Sequence, residues 1–572
     1  MKRLKSAATA GLLTSFILAA GLANAQKLAV PGKSPANPVT ILSIPDSSAA
    51  WTGFAGSPLG RAFIDFYGNA AMAQTADGKA FRDQVATAEK VLGISLKPAD
   101  LMTQTLSGMD LYVVDDHGAS RFALVMAFND PALPGKILDQ LKKDAKSSSG
   151  VSGGFTADTV VEKPIADGRS LYMPAFELYF AQQGNTLVYS ASRDVLESTI
   201  SNGGEPLFTS EYYTKFTDGI KDEPNDVWMF GEIGRLATLA GAAMPMQEQN
   251  AFALFTKTTA AGAVSLKKDH IKVTTFVPVD EMKTIDKRYA MAAPPAGEIP
   301  ILNYFPKDVL FAYGTNHFDG LAILDSWVDD VSGMPGMENA KQAVDQRLDE
   351  SSQQLGFDPK NDFLANMGPD LGFVITKFEA SGDASWMPKS AGIAFACHIK
   401  DPDRFAQVLR TLQEWVAPPP PMTADQKGPA PKSLVTSEEV DGQTILSVAV
   451  PPLAWTLTAD NMFIVSMDSK TVADTMAQAK STSSSITASS VYTRSGEFMD
   501  KNRNSYSIIS LAQLADTLGA MAPAPAADDP NAAAMAKERD AFLNVLKSAS
   551  TVATTSVFRK EGKKQETVVL MK

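Results

Sequence analysis

Apolar and polar positions alternate along this chain with two periods, and the same succession of periods runs through it twice. VTILSIPD reads as a strand, and AAWTGFAGSPLGRAFIDFYGN and FRDQVATAEKVLG carry apolar residues at helical spacing. KPADLMTQTL predicts a short amphipathic helix. DLYVVDD and RFALVMAF form a strand pair joined by a turn around His117-Gly118, after which Asn129-Asp130-Pro131 opens a helix around PGKILDQLKK with Asp130 as its cap. Three strands follow, near TADTVVEKPI, RSLYMPAFELYFAQQ and TLVYSAS, then a helix after Ser192. Strand DVWMFGEIG, helix RLATLAGA, a helical stretch from Ala251 to Thr259 and a closing strand pair, AGAVSL and IKVTTFVPV, complete the first succession.

The second succession has the same order. Glu177 to Ile200 aligns without a gap on Ala454 to Ala477, each reading strand, turn, strand, helix. Further pairs run in order: Leu92-Gly93 with Leu355-Gly356, Gly108-x-Asp110-Leu111 with Gly368-x-Asp370-Leu371, Asp130-Pro131 with Asp401-Pro402, Asp167-Gly168 with Asp441-Gly442, and Trp228–Ala237 with Tyr506–Ala515. The reading is an internal duplication. Hairpin-connected strands with helices inserted in blocks, without regular βαβ alternation, place the chain in the α+β class, as two related halves of antiparallel sheet with helices packed on one face.

The predicted organisation is a signal peptide at 1–25, a flexible proline-containing lead at 26–38, a first α+β half at 39–282, a linker at 283–300 and a second α+β half at 301–572. Low-complexity insertions fall at equivalent places: KSSSGVSGG (146–154) against the proline-rich 417–432, and PMQEQN against APAPAADDPNAAA near 522–534. Both pairs read as surface loop tips, the proline runs as stiff spacers.

Lys2, Arg3 and Lys5, an apolar stretch from about Ala10 to Leu22 and the small-x-small triplet Ala23-Asn24-Ala25 predict export with cleavage near Ala25-Gln26. The apolar stretch is short for a membrane span, and no later segment is long and uncharged enough, so no stable membrane insertion is expected. The expected location is the periplasm, with outright secretion as the alternative. The single cysteine, Cys397, excludes an internal disulfide and an acylated signal end. Removal of the signal, which holds three basic and no acidic residues, leaves 49 basic against 64 acidic residues and a net charge of −15. That balance argues against nucleic acid as a partner and against anionic lipid surfaces.

The sequence assigns no catalytic, cofactor-binding or metal-binding residue. His117, His270, His317 and His398 lie too far apart in sequence for a local zinc motif. Asp500-x-Asn502-x-Asn504 begins like a calcium loop but has Ser505 where glycine belongs and Leu511 where glutamate belongs. Cys397 and His398 are adjacent on a strand, so their side chains point to opposite faces and form no dyad. Ser265-Leu266-Lys267-Lys268 satisfies SxxK at a strand end without companion motifs, and Gly32-Lys33-Ser34 lacks the upstream glycine of a phosphate loop. Asp115-Asp116 reads as a solvated turn and Asp329-Asp330 as a solvated helix face. The chain has 23 methionines, clustered in AAMPMQEQ and SGMPGMENA; core filling accounts for them, and an adaptable apolar surface is the functional alternative.

The opening of the first half, PVTILSIPDSSAAWTGFAGSPLGRAFID, with its strand ending in Pro-Asp, its tryptophan-bearing helix and Ser57-Pro58-Leu59-Gly60, resembles exported bacterial proteins catalogued as domain of unknown function 3352. The likeness extends through GMDLYVVDD and FALVMAFNDP. It implies an exported, duplicated α+β protein and supplies no activity, cofactor or catalytic residue. The functional expectation is a periplasmic binding or scaffold protein without catalytic activity or cofactor, whose partner is a protein or an apolar ligand. The alternatives are a periplasmic hydrolase with a dispersed site and a carrier of lipid or another apolar molecule.

Overall fold

The computed structural model describes residues 28–30, 32–69, 86, 89, 90, 92–147, 160–173, 177–223, 226–232, 235, 259–279, 296–332, 337–379, 390–416, 435–448, 452–521 and 532–572. The signal, most of FRDQVATAEKVLG, the tips at 148–154 and 417–432, AAMPMQEQ and the greater part of the expected linker lie outside these residues. The chain divides into two compact units. One comprises residues 1–281, 525–549 and 571–572, the other 282–524 and 550–570.

In the first unit the described strands are β1 (Pro38–Ile44), β2 (Leu106–Asp116), β3 (Ala119–Phe128), β4 (Val161–Ile165), β5 (Gly168–Met173), β6 (Leu178–Gln183), β7 (Thr186–Ser190), β8 (Val227–Glu232), β9 (Thr259–Leu266) and β10 (His270–Pro278). They pair antiparallel in the order β4-β5-β6-β7-β3-β2-β1-β8-β9-β10. The turn between β2 and β3 is the expected one, with His117 at φ 54° and Gly118 at φ 84°, the left-handed pair that a two-residue hairpin requires. Helices α1 (Ser47–Gly56), α2 (Pro58–Asn69), α3 (Leu133–Ser147), α4 (Arg193–Ile200) and α5 (Glu211–Asp218) accompany the sheet. Asp46, Ser192 and Ser210 cap α1, α4 and α5 by accepting amide hydrogens of the first turn. Asp130 accepts the Ala132 amide at 2.8 Å just before α3, as its sequence context predicts.

Side-chain alternation on the central strands separates two cores. On β3, Ala123, Val125 and Ala127 join Val195 and Leu196 of α4 and Tyr213 and Phe216 of α5, whereas Leu124, Met126 and Phe128 join Ala50 and Trp51 of α1 and Leu133 and Leu138 of α3. Helices thus cover both faces of the sheet, which corrects the one-face arrangement. The reason is visible in RFALVMAF: a strand buried on both faces has a continuous apolar run rather than an apolar face opposite a polar one.

In the second unit the strands are β11 (Phe311–Thr315), β12 (Met367–Glu379), β13 (Ser390–Ile399), β14 (Val435–Val440), β15 (Gln443–Val448), β16 (Leu453–Leu457), β17 (Met462–Ser466), β18 (Ser505–Ser510), β19 (Ala549–Phe558) and β20 (Gly562–Met571). Their order is β14-β15-β16-β17-β13-β12-β11-β18-β19-β20. Helices α6 (Gly320–Ser332), α7 (Ala340–Leu355), α8 (Pro402–Val416), α9 (Ser469–Ala479) and α10 (Leu511–Met521) belong here. Alternation again splits the core: Ala394, Ala396, Met462 and Ile464 face Val472 and Met476 of α9, and Cys397, Ile399 and Phe463 face Phe405 of α8. The aligned runs from Glu177 and Ala454 are β6-β7-α4 and β16-β17-α9, each strand, strand, helix.

Two boundaries differ from the sequence reading. Helix α11 (Ala532–Ser548), placed by sequence in the second half, belongs to the first unit and packs on α2. Its apolar positions seek a helix surface that the linear sequence cannot identify. The described part of the lead, 28–30 and 32–37, is docked rather than loose, with Val30 and Ser34 buried, because it supplies backbone donors to a carboxylate inside the first unit.

Candidate functional site

Asp110 lies on β2 directly across from Ser43 of β1 and is fully buried. Its Oδ1 accepts the Ala29 amide hydrogen at 2.9 Å and its Oδ2 that of Val30 at 2.8 Å, while Ser43 Oγ also accepts from Ala29 at 3.0 Å. Burial pushes the Asp110 carboxyl up to about 6; hydrogen bonds from Ser43, Ala29 and Val30 pull it down without offsetting the lost hydration. Burial, with the Asp110 charge, also raises the phenols of Tyr112 and Tyr213.

The segment held by Asp110 continues across the first unit. Tyr112 Oη donates to the Lys33 carbonyl at 3.2 Å, Ser34 Oγ to Asn202 Oδ1 at 2.6 Å, Lys33 Nζ to the Ile200 carbonyl at 3.2 Å, and the Ala36 amide to Ser198 Oγ at 3.2 Å. The Gly204 amide donates to the Ser34 carbonyl at 3.1 Å, and a side chain at Gly204 would meet the Pro35 carbonyl at 2.5 Å. Lys33 and Ser34, the end of the incomplete phosphate-loop match, therefore serve this docking.

Asp370, at the matching Gly-x-Asp-Leu position, is half-buried; burial raises its carboxyl and nearby His398 opposes the shift. A second buried carboxylate, Asp226, accepts the Leu266 amide at 2.6 Å, with Lys267 Nζ at 3.2 Å and Ser265 Oγ at 3.4 Å from the same oxygen. Asn504 performs the corresponding task before β18, accepting the Phe558 amide at 2.8 Å. Beside it, the buried Arg503 guanidinium stands 4.6 Å from the ring centres of both Tyr492 and Tyr506, and Nη1 has no hydrogen-bond acceptor among the described residues. Two aromatic faces hold this cation.

The residues weighed in the sequence occupy structural positions. Cys397 is buried, and burial pushes its thiol up to about 12. Asp115 is ion-paired with Arg235 at 2.7 Å and caps the hairpin turn through the Gly118 amide at 2.8 Å; these bonds hold its carboxyl below the usual range. Asp329 and Asp330 lie on α6. Ser265 and Lys267 of the SxxK match converge on Asp226. Asp500 of the calcium-like loop pairs with Arg559 and lies 3.6 Å from buried Lys564, which is 2.9 Å from buried Glu566. His317 Nδ1 is 2.7 Å from Thr315 Oγ1, and His270 Nδ1 is 3.0 Å from Asp269. Among the described residues no three His, Cys, Asp or Glu side chains gather to hold a metal ion.

One surface feature stands apart from these networks. Ile323 and Trp327, one helical turn apart on α6, are 39% and 54% exposed, and Met337 just beyond the helix is 51% exposed. No helix of the described residues is long and apolar enough to cross a membrane. Comparison with protein-family models finds no match, and comparisons with curated proteins and with solved structures find none either.

Proposed function

We propose that this chain is an exported binding or scaffold protein of the periplasm, a member of the family that its opening segment resembles, and built by internal duplication. The observation that carries the binding reading is the exposed Ile323–Trp327 face of α6. A tryptophan held in water on a regular helix offers a large apolar contact to an apolar patch on another protein. The duplication draws support from the same strand order in both units, from left-handed Gly93 and Gly356 at matching positions, and from the π-helical turns Leu101–Thr105 and Pro359–Leu364 that precede β2 and β12. The buried carboxylates support a non-catalytic role, since both Asp110 oxygens and Oδ2 of Asp226 accept backbone amides.

The test is recovery of partners from the periplasm of the source cell with the native chain and with a double substitution, Ile323→Glu and Trp327→Glu. A protein retained by the native chain and lost with the double substitution supports the reading. Equal recovery by both chains overturns it, as does a substrate turned over by the purified protein.

A further inference from the structure

The geometry points to residues 28–30 and 32–36 as a clasp on the first unit whose closure is set by the charge of Asp110. Closed, the clasp withdraws both Asp110 oxygens from water and gives them the Ala29 and Val30 amides. Among the described residues, the titratable groups coupled to Asp110 are the phenols of Tyr112, on its own strand, and Tyr213 on α5. The other groups facing it are the Ser43 hydroxyl of β1 and, across the β2–β3 register, the aliphatic Val125, while Lys33 of the clasp directs its ammonium to the Ile200 carbonyl.

A carboxylate in this position loses hydration that two amides and a hydroxyl only partly replace, so its ionised form favours the opened clasp, where water reaches it. The protonated form fits the closed clasp, because the Ser43 hydroxyl can reverse and accept the carboxyl proton while one Asp110 oxygen still accepts from the clasp. The carboxyl titrates near 6 when closed and near the ordinary aspartate value, about 4, when hydrated. A group with the higher value in the closed state ties closure to proton uptake. The clasp therefore tightens on acidification and loosens as the pH rises through about 6.

Hydrogen–deuterium exchange of the full chain, corrected for the intrinsic pH dependence of exchange, reads this directly. Protection of the Ala29 and Val30 amides should fall about tenfold between pH 5 and pH 8, as the two carboxyl values require. In Asp110→Asn, which cannot ionise, protection should be flat over the same range. Unchanged protection in the native chain, a rise with pH, or an equal fall in Asp110→Asn overturns the assignment. Should that variant fail to fold, a carbon-detected NMR titration of Asp110 in the native chain decides. A midpoint near 6 supports the clasp, and one near 4 ends it.

Discussion

Asp110 also sets an expectation for the stability of the whole first unit. Its folded-state value lies above the unfolded one, so the folded chain binds more protons between about 4 and 6, and the contribution is fully present below that window and lost as the pH rises through it. Chemical denaturation at pH 5 and pH 7.5 should show the native chain losing more stability than Asp110→Asn on the way up, by about 1.4 kcal/mol, the tenfold change that the two carboxyl values leave between those pH values. Cys397 gives a second expectation: with the thiol raised to about 12 and fully buried, thiol reagents should label the native protein only at the rate of unfolding, and Cys397→Ala should cost about 1 kcal/mol. Trp228 is fully buried among Tyr213 and Phe230, and Trp228→Ala should cost about 3–5 kcal/mol by denaturant melt. The opposed directions of Cys397 and His398 and the cap at Asp130 follow from local geometry, whereas Asp110 entered only as part of the repeated Gly-x-Asp-Leu motif, and its clasp partners are about 80 residues away.

Elements followed from period and punctuation wherever a segment makes its own hydrogen bonds. The hairpin at His117-Gly118, the caps of α1, α4 and α5, and the strand-strand-helix runs beginning at Leu178 and Leu453 needed only neighbours in sequence. Which face an element buries was another matter. Helix α11 packs on α2, and alanine substitution of its half-buried Leu543 and Leu546, which leaves β19 and β20 in place, should weaken that packing. Thermal melts of this double variant should show a lowered transition, against an unchanged profile if α11 contributes nothing to the first unit.

For the whole molecule, the placement of 525–549 with residues 1–281 revises what a fragment of residues 26–290 should do. It lacks α11 and should melt with reduced cooperativity, and adding back a peptide of residues 530–549 should restore part of the transition. An unaltered melt without the peptide would show that the first half is self-sufficient. The sequence by itself determined the α+β class and, among the described residues, the hairpins and capped helices, because period, turn residues and capping act over a few positions. The tertiary structure alone decided that helices cover both faces, that α11 joins the first unit and that the lead is docked on Asp110. Each of these depends on which buried surface or unsatisfied carboxylate meets a segment distant in the chain, and no local pattern records that meeting.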